Sequence, residues 1–168
     1  RAVKPTRLRR AAYFRSLDFP AMRLPSLEEI NIYDSLDERL AAEQFLGKSI
    51  PEAVGLFREH SNTCTDYLCQ MGPYARLFYL EAYLQYLASE DSRGDTCAAN
   101  GLPSVVNAVM ESGLDTNEVQ ESLLVALQRV HSQFARYAPD RLSQRIYRHL
   151  PRQVKKAILT LRRRIAES

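Results

Sequence analysis

The stretch DYLCQMGPYARLFYLEAYLQYL, residues 66–87, decides the fold class. Its second half carries a stripe of leucines beside a stripe of tyrosines, both at three- and four-residue intervals: Leu77, Leu80, Leu84, Leu87, Tyr79, Tyr83 and Tyr86. This interval is the period of an α-helix. A helix that is apolar around most of its circumference is packed on several sides. The pattern therefore predicts a central helix over residues 73–89, with these side chains in the interior.

The tripeptide Met71-Gly72-Pro73 predicts a corner between two helices. Glycine commonly ends a helix, and proline is tolerated in the first turn, where the backbone N–H has no partner within the helix. A short helix over residues 65–71 is therefore expected to stop at Gly72, before the central helix begins at Pro73.

Capping signals and breakers place the other elements. Ser35-Leu36-Asp37-Glu38 and Ser49-Ile50-Pro51-Glu52 are capping boxes, in which serine and glutamate satisfy each other's backbone N–H groups. They predict helices over residues 36–46 and 50–60. Prolines, glycines and polar runs indicate a loop over residues 90–101 and helices over residues 103–112, 117–138, 140–149 and 151–166.

The length suits one domain, because a chain of 168 residues buries roughly 70% of its unfolded surface when it folds. No run alternates apolar and polar residues in the manner of a strand. We expect an all-α protein with a single compact multi-helix domain of about seven or eight helices over residues 24–168. A basic N-terminal arm, residues 1–23, precedes it.

Charge is segregated along the chain, although the net charge is only +3. Residues 1–23 carry seven Lys and Arg and one acidic residue, and residues 141–168 carry nine and one. Residues 24–140 carry seven basic and eighteen acidic residues. Such asymmetry bears on partners and self-association rather than on fold.

The basic ends are the strongest candidate binding feature. Clustered Lys and Arg attract phosphates and carboxylates, and Arg141, Arg145 and Arg148 are spaced to share one helix face. Three interpretations stay open: neutralisation of the chain's own acidic middle, docking on an acidic protein, and binding to nucleic acid or another anionic surface. The candidate residues for an anionic partner are Arg7, Arg9, Arg10, Arg141, Arg145, Arg148, Arg152, Lys155, Lys156, Arg162 and Arg163.

The acidic middle is the candidate surface for a cationic partner, because complementary charge speeds and steers encounter. An immunity-type protein that covers the cleft of a basic toxin is one version of this hypothesis. Its candidate residues are Glu28, Glu29, Asp37, Glu38, Glu43, Glu52 and Glu59.

Enzyme chemistry has weaker signals. His60 and Cys64 are the only Cys–His combination at helical spacing, and a cysteine nucleophile needs a base within hydrogen-bond reach. The other histidines, His131 and His149, stand far apart, so no metal site and no cofactor are expected. Hence no catalytic residue is assigned.

The sequence also bears on compartment. No apolar run approaches the roughly 20 residues that a membrane-spanning helix needs. Three cysteines, Cys64, Cys69 and Cys97, form an odd set without a CxxC pair, which argues against a disulfide framework. A reducing cytoplasm is the expected location.

Residues 56–87 resemble the signature of a family of small bacterial helical proteins of unassigned function. The resemblance rests on Leu-Phe-Arg-Glu, Met-Gly-Pro and Ala-Tyr-Leu-x-Tyr-Leu motifs, and it says nothing about the basic ends. It implies a cytoplasmic helical domain without an agreed enzyme activity, similar to small accessory or toxin-neutralising proteins. The matching residues are Leu56, Phe57, Arg58, Glu59, Asp66, Leu68, Met71, Gly72, Pro73, Ala75, Tyr79, Leu80, Ala82, Tyr83, Leu84, Tyr86 and Leu87.

The sequence thus favours a non-enzymatic protein-binding module, of which an immunity-type protein that neutralises a toxin is one concrete version. The alternative is binding to nucleic acid or an anionic surface through the basic terminal segments. A Cys/His-based enzyme is the third hypothesis.

Overall fold

The computed structural model describes residues 22–167, and all regular structure in that range is helical, which confirms the all-α prediction. The predicted N-terminal arm, including Arg7, Arg9 and Arg10, lies almost wholly outside the described residues. The helices are α1 (Leu27–Ile30), α2 (Leu36–Phe45), α3 (Ile50–Gln70), α4 (Pro73–Ala88), α5 (Thr96–Glu111), α6 (Asn117–Ser132), α7 (Phe134–Tyr137), α8 (Arg141–Ile146) and α9 (Leu150–Glu167), with a 3-10 turn at Glu90–Ser92.

Helix α4 is the centre of the core, as its leucine and tyrosine stripes predict. It contacts α1, α3, α5 and α6, and most of its length is buried. On one side α3 packs against α2, α4 and α5, and on the other α9 packs mainly against α6 and less extensively against α5. The apolar seam of α9, residues Val154, Ile158 and Leu161, is buried in that contact.

The stripe tyrosines fill the interior, and each hydroxyl has an acceptor. Tyr83 donates to the Ala98 carbonyl oxygen at 2.6 Å, and Tyr86 donates to Asp95 Oδ2 at 2.7 Å. Tyr79 donates to main-chain carbonyls at the end of α2, and burial raises its pKa to about 12. Because buried hydroxyls are costly without partners, these bonds explain how tyrosine can occupy core positions.

The predicted corner at Met71-Gly72-Pro73 joins α3 to α4. The Gly72 N–H donates to the Ile30 carbonyl oxygen at 3.2 Å, so α1 packs directly on the corner. A Cβ at this position would lie 2.3 Å from the Glu29 carbonyl oxygen, which shows that only glycine allows this approach.

Arg76, in the first turn of α4, ties the corner to the rest of the fold. Its half-buried guanidinium donates four hydrogen bonds to main-chain carbonyl oxygens, and burial lowers its pKa. These oxygens belong to the end of α3 and to α5: Leu68 at 3.1 Å, Cys69 at 2.9 Å, Met71 at 2.8 Å and Ala108 at 2.7 Å. Arg76 therefore satisfies carbonyls that the end of α3 would otherwise leave without partners.

Helix α3 agrees in part with the prediction of one helix over residues 50–60 and another over residues 65–71. The break near His60 is confirmed, but the predicted gap over residues 61–64 is helical. The chain departs from helical geometry only at His60, where φ is −142° and ψ is 51°, and it resumes at once. Phe57, Cys64 and Leu68 lie on one buried face across this break. Packing of that face outweighs the weak helix propensity of Ser61-Asn62-Thr63.

Helix α5 corrects the predicted loop over residues 90–101, since it begins at Thr96 rather than at Pro103. Asp95 caps it by accepting from the Ala98 N–H at 3.0 Å. Gly101, expected in a loop, lies inside the helix. A Cβ there would be 2.3 Å from Thr65 Cγ2 on α3, so the close approach of α3 and α5 explains the glycine. Pro103 is accommodated in the interior of the helix, where it donates no hydrogen bond.

One break and one additional helix raise the helix count above the predicted seven or eight within residues 22–167. The predicted helix over residues 117–138 ends at Ser132, because Gln133 has φ −117° and ψ 30°, and α7 follows. The short helix α1 was not predicted, although Ser26 and Glu29 carry a capping signal: the Ser26 N–H donates to Glu29 Oε2 at 2.9 Å.

Candidate functional site

The Cys/His pair of the third hypothesis does not form an activated nucleophile. Cys64 is buried and its thiol donates to the Leu56 carbonyl oxygen at 3.5 Å, whereas His60 is exposed. Burial raises the pKa of Cys64 to about 12 and that of Cys69 to about 11, so both thiols are protonated at neutral pH. A nucleophilic cysteine needs the opposite shift.

The structure likewise offers no cluster for a metal ion. Within residues 22–167, no three His, Cys, Asp or Glu side chains come together in a group that could hold one.

Glu38 is a correction to the acidic candidate set, because the structure buries it with only 2% of its surface exposed. Its carboxylate accepts from the backbone N–H groups of Ile32, Tyr33 and Ser35 at 3.0–3.2 Å and from the Ser35 hydroxyl at 2.8 Å. Glu38 thus holds the turn between α1 and α2 in place and does not face a partner.

This arrangement predicts a pH-dependent stability. Burial of the Glu38 carboxyl raises its pKa, but the hydrogen bonds from Ser35, Tyr33 and Ile32 together outweigh burial and lower it. The resulting stabilisation is present above the unfolded pKa, about 4.3, and is lost as the pH falls through the lower folded pKa. We expect Glu38→Gln to lower the free energy of unfolding at pH 7, by an amount that shrinks below about pH 4, as measured by urea unfolding at several pH values.

Glu43→Gln is the matched control, because Glu43 is exposed on the same helix and makes no hydrogen bond or ion pair with the described residues. Its free energy of unfolding should follow that of the unsubstituted protein at every pH. An equal loss in both variants would show that Glu38 acts only through general surface charge.

Three of the other six acidic candidates already form an ion pair or a hydrogen bond with the described residues. Glu29 forms an ion pair with Arg23 at 2.7 Å, Glu28 accepts from the Ser26 hydroxyl at 2.9 Å, and Glu52 accepts from the Ser49 N–H at 2.8 Å. Three exposed members make no such bond among the described residues: Asp37, Glu43 and Glu59.

The basic candidates of the described chain are all exposed. None of the eight forms an ion pair with a carboxylate of residues 22–167, so the described acidic middle does not neutralise them by direct contact. They are Arg141, Arg145, Arg148, Arg152, Lys155, Lys156, Arg162 and Arg163. Arg148 does not share a helical face with Arg141 and Arg145, because α8 ends at Ile146.

Large apolar side chains are exposed among these cations. Leu142 and Ile146 on α8 are 65% and 56% exposed, and Leu159 on α9 is 57% exposed. Helix α8 has no buried residue, and Leu159 lies between the basic residues on the outer side of α9. We call the eight cations together with Leu142, Ile146 and Leu159 the basic surface.

A groove of about 550 Å³ runs between α5 and α9 beside the basic surface. Val106, Met110 and Ala157 form its apolar part. Its polar lining is Asn100, Ser104 and Asn107 from α5, and His149, Gln153, Lys156 and Thr160 from α9 and the residue before it.

Two contacts close the ends of the groove. At one end a His149 ring nitrogen lies 3.3 Å from Asn100 Oδ1, and at the other Arg164 donates to the Met110 carbonyl oxygen at 3.3 Å. Arg164 also forms an ion pair with the buried Asp115 at 2.9 Å. These contacts hold α9 at a fixed distance from α5.

Sequence reasoning missed the groove because its walls come from segments about 50 residues apart. A signal is nevertheless present in each wall. Polar residues recur at helical intervals at positions 100, 104 and 107 and at positions 149, 153, 156 and 160. Polar rows of this kind indicate the solvent-facing side of each helix, but not that the two sides lie opposite each other.

Comparison with protein-family models, with curated proteins and with solved structures finds no match for the chain. The resemblance of residues 56–87 to a small bacterial family stays a prediction. Within the described residues, no helix combines the length and the apolar character needed to cross a membrane.

Proposed function

We propose that the protein is a non-enzymatic binding module that docks on an acidic protein through the basic surface of α8 and α9. The observation that carries this proposal is a set of eight exposed cations without ion pairs to the described carboxylates. A partner that supplies carboxylates would satisfy them and would gain speed of encounter from the complementary charge.

The exposed apolar side chains favour a protein over a nucleic acid. Leu142, Ile146 and Leu159 offer contact area for apolar side chains of a partner, and protein interfaces combine such contacts with a charged rim. Proteins that bind single-stranded nucleic acids instead stack the bases on aromatic side chains. Tyr147, the aromatic residue between α8 and α9, is half-buried with its hydroxyl 3.4 Å from Cys97 Sγ.

The immunity-type version, in which the acidic arc covers a cationic toxin, has less support. Glu38 is buried, and Glu29 and Glu52 are engaged by Arg23 and Ser49.

We also propose a reducing cytoplasm as the compartment of this protein. The three free thiols Cys64, Cys69 and Cys97 support it, because disulfides are rare there.

The proposal is tested by fluorescence anisotropy with two probes, a labelled peptide of alternating Glu and Leu and a labelled 20-base-pair DNA duplex. We expect the triple variant Arg145→Gln, Arg152→Gln, Arg162→Gln to bind the peptide about tenfold or more weakly. Three exposed contacts of roughly 0.5–1 kcal/mol each correspond to that factor. Leu142→Ser with Ile146→Ser should weaken peptide binding further.

The matched control removes three positive charges elsewhere, with Arg39→Gln, Arg58→Gln and Arg93→Gln. These arginines are exposed and ion-paired with Asp34, Asp91 and Glu90. This variant should keep peptide binding within about twofold, since its changes lie outside the basic surface. The proposal would be overturned if the protein did not bind the peptide. It would also be overturned, in favour of nucleic acid, if the protein bound DNA more tightly than the peptide and the serine changes did not alter DNA binding.

A further inference from the structure

We propose that the groove between α5 and α9 binds a small organic anion of about nucleotide size, with its phosphate or carboxylate group at Lys156. This inference differs from protein docking, because it concerns the space between two helices, although Lys156 belongs to both the groove and the basic surface.

The dimensions fit a ligand of that class. Small-molecule sites in proteins occupy about 300–1,000 Å³, and the groove has about 550 Å³. Asn100 and Met110 are ten positions apart on α5, which corresponds to about 15 Å of helix at 1.5 Å per residue. The His149–Asn100 contact and the Arg164–Met110 bond close the two ends, so the space is bounded along its length.

The lining provides hydrogen-bonding groups that the fold does not use. Five polar side chains of the groove make no hydrogen bond or ion pair with any described residue: Ser104, Asn107, Gln153, Lys156 and Thr160. They include two amides, two hydroxyls and an ammonium group, all of which can donate to anionic oxygens. The apolar side chains Val106, Met110 and Ala157 can hold a carbon framework or a ring beneath them.

The charge of the lining selects an anion. Among the described residues that line the groove, Lys156 is the only one with a fixed charge, and none is a carboxylate. Arg152 and Arg163, one and two turns from Lys156 on the same side of α9, add positive potential. The acidic groups nearest along the helices are Glu111, the last residue of α5, and Asp115, which Arg164 neutralises.

The test is a 1H–15N NMR titration of the whole chain with AMP, adenosine and inorganic phosphate. We expect AMP to shift the amide signals of Ser104, Asn107 and Thr160, and to bind about tenfold more tightly than adenosine or phosphate alone. The factor corresponds to one charge-assisted hydrogen bond of about 1.5 kcal/mol.

Matched variants separate the groove from general surface charge. Lys156→Gln should weaken AMP binding about tenfold, whereas Lys155→Gln, on another side of the same helix, should change it less than twofold. Asn107→Trp fills the groove and should abolish AMP binding while leaving the affinity for the acidic peptide unchanged, which separates this inference from protein docking.

Three outcomes would overturn the inference. The first is the absence of shifts at these amides with all three probes at about 5 mM, a concentration chosen to detect affinities near 1 mM, roughly 4 kcal/mol of binding free energy. The second is equal weakening by Lys155→Gln and Lys156→Gln. The third is phosphate binding as tight as AMP binding, since the organic part would then contribute nothing.

Discussion

Gly72→Ala is expected to lower the free energy of unfolding by about 3 kcal/mol, the upper part of the range for overpacked sites. The backbone at this position, φ −59° and ψ 159°, is allowed for alanine, so the cost is steric. The new Cβ would lie 2.3 Å from the Glu29 carbonyl oxygen and 2.5 Å from Ile32 Cδ1. A backbone oxygen cannot rotate away, and α1 must therefore move off the corner. Urea unfolding followed by circular dichroism measures the loss.

Gly55→Ala is the control, because Gly55 lies inside α3 and a Cβ there would meet nothing within 4 Å. Alanine in a helix interior is more favourable than glycine by about 0.5–1 kcal/mol, so this variant should be more stable than the unsubstituted protein. The two changes are chemically identical and their expected effects have opposite signs. Equal effects of the two changes would contradict the close packing of α1 on Gly72.

Arg76→Met is expected to cost about 4 kcal/mol of unfolding free energy. The variant keeps a long side chain but removes four donated hydrogen bonds, with Leu68, Cys69, Met71 and Ala108 as acceptors. Bonds to a charged group contribute about 1.5–3 kcal/mol each, and solvent reaching the half-buried site recovers part of the total. Because the bonds join α3, α4 and α5, we expect thermal unfolding to shift as a single transition to lower temperature.

Two further variants separate geometry from charge at Arg76. Arg76→Lys keeps the positive charge but cannot reproduce the planar fork of donors, so its loss should be intermediate. Arg93→Met removes an exposed arginine paired with Glu90 at 3.2 Å and should change stability by less than about 1 kcal/mol. If Arg76→Met lost no more unfolding free energy than Arg93→Met, Arg76 would not tie the corner to the rest of the fold.

The fold was predictable where local chemistry coincides with tertiary packing. The leucine and tyrosine stripes placed α4 in the core, and the serine–glutamate boxes placed the starts of α2 and α3. Such signals are complete within a few residues. The all-α class follows from them without knowledge of any long-range contact.

Prediction was wrong where a residue's environment is supplied by a distant segment. Gly101 and Pro103 are helix breakers by local preference, yet α5 runs through both, and Thr65 of the distant helix α3 occupies the space that a Cβ at position 101 would need. The capping pattern at Glu38 was recognised, but not the turn that brings two further N–H groups onto its carboxylate. The acceptors of Arg76 were likewise not predictable, because only the folded corner brings the main-chain carbonyls of α3 and α5 to its guanidinium.

Of the candidate site, the exposed cations were predictable from the sequence and the groove was not. Clustering of charge identified the cations of α8 and α9, since exposed arginines and lysines keep their character whatever the fold. The groove was not predictable, because its bounds depend on contacts of His149 with Asn100 and of Arg164 with Met110. Those pairs join residues that are 49 and 54 positions apart.

The tyrosine hydroxyls of α4 impose different constraints on the divergence of this chain over evolution. Tyr79 and Tyr83 donate to peptide oxygens, which persist whatever side chain occupies the acceptor position. Mutations at Lys48 can therefore accumulate without depriving Tyr79 of its bond, whereas the complete burial of Ala98 limits the size of any replacement beside Tyr83. Tyr86 differs, because its acceptor is the carboxylate of Asp95. In divergent descendants the first two tyrosines should persist beside changing neighbours, whereas positions 86 and 95 should covary.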